Sequence, residues 1–379
     1  MVYLDTAATT KLKAEVVEAM MPYFTEQWHN PSSLYNESAK IKRNIEEARC
    51  VIGRFIGAEN NEIFVTSSGS EGNCWAIQGF INRCRRKRKN VTVITSVIEH
   101  KSVIECVKHM EADTYYIEVD EYGFIDMKML EDSLRNAHNE ANEIIVSIQY
   151  GNNEIGTIQE IEDISRLVHK YGGIFHTDAV QVVGQLPISV KSLGVDLLTC
   201  SGHKLGAPKG IGFLYKRNGV EIDPLIYGSQ MDFMRGGTEN TPYIIGLSKA
   251  IELCDVGQEK TNEMCKKRNY FISLLENRFD CELNGDSYYR LPNNINVTFS
   301  QAITGEALLY TLDLSGIKIS TGSACNSQSI EPSYVLKNIG LTDEQAMRTV
   351  RFSLSDDITY KEIDWVVEEI DKAIKLIEI

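Results

Sequence analysis

The sequence predicts an α/β fold with a mainly parallel sheet covered by helices, joined to a smaller α+β unit. Three observations carry this expectation. Short apolar runs alternate with helical patterns between residues 62 and 215. Small polar clusters follow the strand candidates, as at the edge of an open sheet where strand ends gather. Beyond residue 279 the alternation gives way to a different mixture of strands and helices. The expected division is a large unit over 14–255 and a small one made of 1–13 and 256–379.

In chain order, Leu4-Asp-Thr-Ala-Ala-Thr-Thr10 is a small-residue extended arm before a helical pattern from Ala14 to Phe24. Asn30-Pro-Ser-Ser33 is a turn expected to cap a helix reaching Phe55, with Ser38, Ile41, Ile45, Ala48 and Ile52 on one stripe. Glu62 to Thr66 reads as a buried strand, followed by the turn Ser67-Ser-Gly-Ser-Glu-Gly-Asn73 and an apolar helix from Trp75 to Ile81. Strand, hydroxyl-rich turn and helix together build an anion site from backbone N–H groups. The spacing fits neither a Walker lysine motif nor a dinucleotide fingerprint, which leaves a lone phosphate group or a plain helix cap.

Further strands are expected at Val91 to Ser96, Ile144 to Gln149, Ile174 to Thr177, Asp196 to Cys200 and Ile211 to Tyr215, with a helix from Ile161 to Tyr171 among those between. A single long helix is expected from Tyr243 to Phe279. Then come a strand at Asn294 to Phe299, a helix at Glu306 to Leu314, strands at Ile317 to Ser320 and Val350 to Leu354, and a closing helix from Tyr360 to Leu376.

Composition narrows the class. The chain has 379 residues, enough for a sizeable core, and a formal net charge of −14, which argues against a nucleic-acid or anionic-membrane partner. The one basic run, Arg83-Cys-Arg-Arg-Lys-Arg-Lys89, is expected to sit at a helix C-terminus, where the dipole favours cations. No stretch approaches the roughly 18 apolar residues of a membrane span. Met1-Val-Tyr-Leu-Asp5 lacks the features of a signal peptide, and nine cysteines show no Cys-x-x-Cys pair or metal-ligand spacing. A cytoplasmic protein with reduced thiols and no metal site is the expectation.

The chemistry gathers at strand ends. Ser201-Gly-His-Lys204 follows one strand, and alone it is equally an exposed turn. Glu99-His100, Asn152-Asn-Glu-Ile-Gly156 and Thr177-Asp-Ala-Val-Gln181 follow three others. Together they place an imidazole, amides, a carboxylate and a lysine around one pocket. A lysine Schiff base paired with a carboxylate is what pyridoxal 5′-phosphate needs. In that reading Asp178 faces the ring nitrogen and His100 covers the ring. Gln181 and Asn153 bond the phenolic oxygen or substrate, while Ser70, Ser201 and His203 hold the phosphate with the helix terminus.

These segments resemble the cysteine desulfurases, a branch of the fold-type I pyridoxal-phosphate enzymes, over almost the whole chain. The resemblance also rests on Leu4-Asp-Thr-Ala-Ala-Thr-Thr10, Asn30-Pro-Ser-Ser33, Arg235-Gly-Gly-Thr-Glu-Asn240, Ser320-Thr-Gly-Ser-Ala-Cys325 and Arg351-Phe-Ser-Leu354. It implies that Lys204 carries the cofactor as a Schiff base and moves protons, with His100 stacked on the ring as an acid/base. Gly69, Ser70, Ser201 and His203 would bind phosphate. Thr238 would reach the phosphate of the other subunit in an obligate homodimer, and Arg351 would grip the substrate carboxylate. Cys325 would take sulfur from L-cysteine as a persulfide, release alanine and pass the sulfur to a protein acceptor, for iron–sulfur assembly or thiolation. The Ser-Gly-Ser-Ala-Cys form is similar to the long-loop subgroup typified by IscS and NifS proteins. A related lyase or aminotransferase acting on selenocysteine or cystine, with Cys325 inessential, is the alternative.

The sequence departs from the family's pattern in places. Serines and a glycine replace other residues of the phosphate turn, and Tyr35 stands where a histidine is common. Asp232 and Asp356 stand where arginines are usual. The chain ends at Ile379, short of the tail that housekeeping members use to bind a scaffold protein. The rim and the acceptor are thereby put in question more than the cofactor chemistry.

Overall fold

The computed structural model describes residues 1–301, 303–321 and 331–377. Its strands are β1 (Val2–Tyr3), β2 (Ile63–Thr66), β3 (Val91–Ser96), β4 (Asp113–Ile117), β5 (Glu143–Ser147), β6 (Ile174–Asp178), β7 (Leu197–Ser201), β8 (Gly212–Lys216), β9 (Cys281–Leu283), β10 (Asn294–Phe299), β11 (Ile317–Lys318), β12 (Ser320–Thr321) and β13 (Thr349–Ser353). Seven of them form the central sheet in the order β2-β8-β7-β6-β5-β3-β4. Strands β4, β3, β5, β6 and β7 pair in parallel, and only β8 runs against its neighbours β7 and β2. Every residue of β3, β7 and β2 is buried, as continuous apolar runs covered on both faces require. The carboxyl ends of β2, β3, β5, β6 and β7 therefore meet at one edge.

Helices sit where the patterns expect them, with informative exceptions. The stripe Ser38, Ile41, Ile45, Ala48 and Ile52 is buried on the helix Asn36–Ile56. That helix starts later than Asn30-Pro-Ser-Ser33, however. Tyr35 is its N-cap and makes no side-chain cap bond, while the Asn30 side chain closes an earlier local turn, accepting from the Ser32 N–H at 2.9 Å. The first helical stretch is two pieces, Ala14–Met20 and Pro22–Thr25, since Pro22 can begin a helix but not continue one. The long helix expected from Tyr243 to Phe279 is likewise two, Thr241–Glu252 and Gln258–Arg278. Between them Asp255 accepts the Gly257 N–H at 2.9 Å, a local turn that competes with helix continuation. The basic run does close a helix, Gly69–Arg86, and its Arg83 and Lys87 pair with Glu221.

One large cluster of buried apolar side chains fills the space around the seven-stranded sheet. A second surrounds an antiparallel sheet of order β12-β13-β10-β9, drawing on Leu4 and on residues from Met264 to Ile374. The stretch Ile317 to Ser320 serves two partners: β11 pairs in parallel with β1, while β12 pairs with β13. The N-terminal arm joins the two clusters. Its Leu4 packs in the second, and Thr10 and Lys13 then bond the backbone of His203 and Gly206 beside the first sheet.

Phe352 is fully buried on β13 against Phe271, with ring centroids 5.0 Å apart. Phe352→Ala should lower stability by about 3–5 kcal/mol, the usual cost of a large aromatic cavity. Urea unfolding followed by fluorescence and circular dichroism measures it.

Candidate active site

At the sheet edge lies a cavity of about 660 Å³. Gly69, Ser70, His100, Asn153, Asp178, Gln181, Ser201, His203, Lys204 and Arg351 all line it. Of the residues singled out from sequence, Thr238 does not: it is exposed on the loop before the helix Thr241–Glu252. Cys325 lies outside the described residues.

Asp178 ends β6 and is 2 % exposed. Asn73, one turn into the helix Gly69–Arg86, donates to its Oδ2 at 2.7 Å, and the Val180 N–H donates to Oδ1 at 3.0 Å. Lys204 follows β7 on a short 3₁₀ turn, and its ammonium donates to the carbonyls of Ala7 and, at 2.6 Å, Ala8. Gln181 donates to the same Ala7 carbonyl at 3.1 Å. Ser68 caps the helix Gly69–Arg86 by accepting from the Glu71 N–H, so the N-terminus of a long helix opens on the cavity. A Cβ on Gly69 would come within 2.8 Å of Val180, which keeps this turn tight against the strand ends.

His100 is the N-cap of the helix Lys101–Lys108. Its ring is open to the cavity, whose walls crowd it. This desolvation lowers its pKa, helped by Lys204 and Lys101 and opposed by Asp178. Burial, with Lys204 and Lys209 nearby, pushes His203 down to about 4, so it is a neutral ring at neutral pH. Arg351 donates to the Asn153 carbonyl at 2.9 Å and to Asp5 at 2.8 Å, and its buried Nε has no hydrogen-bond partner among the described residues. Asn153 is held in turn by Gln149, 3.2 Å from its Oδ1.

Sequence reasoning missed Asn73, Ser102 and Asp5 as parts of this site. Asn73 was legible only as the last residue of the phosphate turn, with no role of its own, and Asp5 only through the chain crossing that brings residue 5 beside residue 351. The departures fall at the margins. Asp356 pairs with Lys260 at 2.7 Å, and Asp232 is exposed in a run of positive φ, Met231 to Phe233. Tyr35 is exposed.

The chain matches the aminotransferase class-V family over residues 2–366. It is 44% identical over 380 residues to the cysteine desulfurase IscS of Dictyoglomus turgidum, covering 99% of this chain and 94% of that one. A solved NifS-like protein aligns with a TM-score of 0.89 at 32% identity, with 99% of each chain covered. A structure described as SspA in complex with cysteine aligns at 0.81 and 34% identity, covering 93% of this chain and 99% of that one. The chain belongs to the class-V aminotransferase family, whose members work with pyridoxal phosphate. Within that family its activity is that of a cysteine desulfurase.

The residues present fit that cofactor. A buried carboxylate held by two donors, a lysine at a neighbouring strand end and a helix N-terminus share one cavity. Asn73 Oδ1, beside Asp178, is buried without a hydrogen-bond partner among the described residues.

Behind the cavity, burial lifts the Glu99 carboxyl from 4.5 to about 8, and its Oε2 has no hydrogen-bond partner among the described residues. Because the folded pKa is raised, the folded state holds the extra proton between those values, and stability falls as pH rises through the window. Glu99→Gln, which mimics the protonated acid, should lose less thermal stability than wild type between pH 5 and pH 8. Melting temperatures across that range test this.

Proposed function

We propose that this chain transfers the sulfur of L-cysteine to Cys325 as a persulfide, releasing L-alanine, with Lys204 as the cofactor's covalent anchor. What supports the reading best is the meeting of Lys204, Asp178 and His100 in one cavity of a chain whose relatives are cysteine desulfurases. The bound cofactor supplies an electron sink for the substrate's α-carbon.

This chain's own residues do the rest. Asp178, held by Asn73 and Val180, would pair with the cofactor's ring nitrogen and keep a proton there. Ser70, Ser201, His203 and the helix N-terminus at Gly69 bind the phosphate. Neutral His203 donates a hydrogen bond there without adding charge. Asn153 and Gln181 would hold the ring's oxygen side, and His100 would cover the ring and exclude water. Lys204 carries the proton to and from the α-carbon. Arg351 binds the substrate carboxylate through its planar fork, exchanging its bonds to Asn153 and Asp5 for the ligand. At Cys325 a thiolate attacks the substrate sulfur: a new S–S bond forms, the C–S bond breaks, and its electron pair returns to the carbon that becomes alanine's methyl group.

The protein works as a homodimer in which Thr238 of one subunit completes the phosphate site of the other. Its exposed place outside its own cavity supports this reading. Delivery to a protein acceptor, in the cytoplasm, follows.

Mixing cofactor-loaded protein with L-cysteine, without reductant, should give alanine and one added sulfur by intact mass. Cys325→Ala should abolish the sulfur adduct. Equal alanine or pyruvate from the variant would instead indicate a lyase or aminotransferase. Arg351→Lys loses a bidentate grip and should raise KM for cysteine about 10- to 100-fold in steady-state assays.

A further inference from the structure

The helix Lys101–Lys108 begins with an unusual cap. His100 occupies the N-cap, and its Nδ1 accepts the backbone N–H of Ser102 at 3.2 Å. A backbone N–H can only donate, so Nδ1 carries no proton, and the proton of the neutral ring is on Nε2. The Ser102 hydroxyl lies 2.8 Å from the same Nδ1. That hydroxyl also accepts from Asn73 Nδ2 at 2.9 Å, so its own hydrogen is directed to the histidine. The second N–H of Asn73 donates to Asp178 at 2.7 Å. A continuous chain of hydrogen bonds therefore links Asp178 to His100, with Asn73 donating to both Asp178 and Ser102 and Ser102 donating to His100.

We infer that Ser102 is a positioning residue that fixes His100 as the Nε2–H tautomer and ties the ring to the Asp178 carboxylate through Asn73. The ring then offers one N–H to the cavity from Nε2. Its basic nitrogen faces the protein, already engaged by two donors from Ser102. Protonating His100 would require giving up both bonds. The charged groups around the ring are Asp178, which favours the imidazolium, and Lys204 and Lys101, which oppose it; burial also opposes it. Glu99, next in the chain, is driven towards its neutral form by its own burial. His100 is accordingly a neutral stacking group and hydrogen-bond donor, and proton transfer at the α-carbon falls to Lys204.

The inference rests on the assignment of His100 to the cofactor pocket, but its test reads the ring nitrogens directly. Histidine-selective ¹⁵N labelling of the holoenzyme, with His100→Gln used to assign the signal, reports the tautomer and its titration. The expected result is an Nδ1 shift of an unprotonated acceptor and an Nε2 shift of a protonated nitrogen. Ser102→Ala should move the His100 titration up by about 0.5–1 pH unit, the share of one lost hydrogen bond. Ser102→Thr, which keeps the hydroxyl, should restore the wild-type titration. A proton on Nδ1 in the wild type, or a titration that Ser102→Ala leaves unmoved, would overturn the proposal. Neither outcome depends on the desulfurase assay, so failure of the tautomer lock and failure of the functional reading are separately visible.

Discussion

The site depends on seating one carboxylate where almost no water reaches it. Asp178 sits at the end of β6 with 2 % exposure, and an unpaired charge there would cost several kcal/mol. Two donors offset that cost, the amide of Asn73 and the N–H of Val180. Asn73 can reach only because its helix packs very close to the sheet. A Cβ on Gly72 would lie 2.6 Å from Thr199 Cγ2, so glycine at that position permits the approach. The same docking brings the helix N-terminus to the cavity. The anion-binding turn and the buried carboxylate are thus consequences of one packing contact.

The N-terminal arm imposes the second constraint. Leu4 is buried with the second cluster, and Asp5 bridges to Ser353. Two and three residues beyond Asp5, Ala7 and Ala8 present their carbonyls to Lys204, and Thr10 accepts the Gly206 N–H at 2.8 Å. Asp5 meanwhile pairs with Arg351. The lysine and the arginine, one beside each core, are therefore held by residues 5 to 8 of one short segment.

The seven-stranded sheet was legible because its strands are buried on both faces and read as unbroken apolar runs. Strand β4 was not, since Asp113 is exposed, Thr114 to Tyr116 are only partly buried, and the run carries no clear alternation. Most of the cavity residues were legible because polar residues at or just beyond the ends of buried strands converge once those strands are parallel, whereas Gly69 and Arg351 came only from the family resemblance, Arg351 lying within the antiparallel β13. Asn73, Ser102 and Asp5 were hidden for another reason. Asn73 and Asp5 act on partners distant in sequence, Asp178 and Arg351, while Ser102 acts on His100, two residues before it. Even there, the helix-capping use of a histidine ring is not what propensity favours, since caps are ordinarily Ser, Thr, Asp or Asn. The break at Leu253 to Gly257 was missed because residues on both sides are compatible with helix, and a single Asp255 turn decides the outcome.

The departures from the family pattern bear on the rim more than on the chemistry, and the physics of each explains why. Asp356 replaces one charge sign with the other, yet Lys260 supplies a partner at 2.7 Å from the start of the helix Gln258–Arg278. An exposed pair of this kind contributes about 0–1 kcal/mol, so the swap alters the local field with little consequence for folding. Asp232 is a different case. It is the middle of three consecutive non-glycine residues with φ of 46°, 57° and 65°, a conformation that costs about 1 kcal/mol or more at each position. The loop offsets part of this by burying Met231, whose sulfur accepts the Val65 N–H at 3.1 Å. It leaves Phe233 largely exposed beside an acidic side chain. Arg235, which closes the loop, pairs with Glu71 at 2.7 Å on the helix of the phosphate turn. A strained surface loop is thus tied through one ion pair to the helix that also carries Asn73, so the altered rim and the Asp178 clamp share a single rigid support.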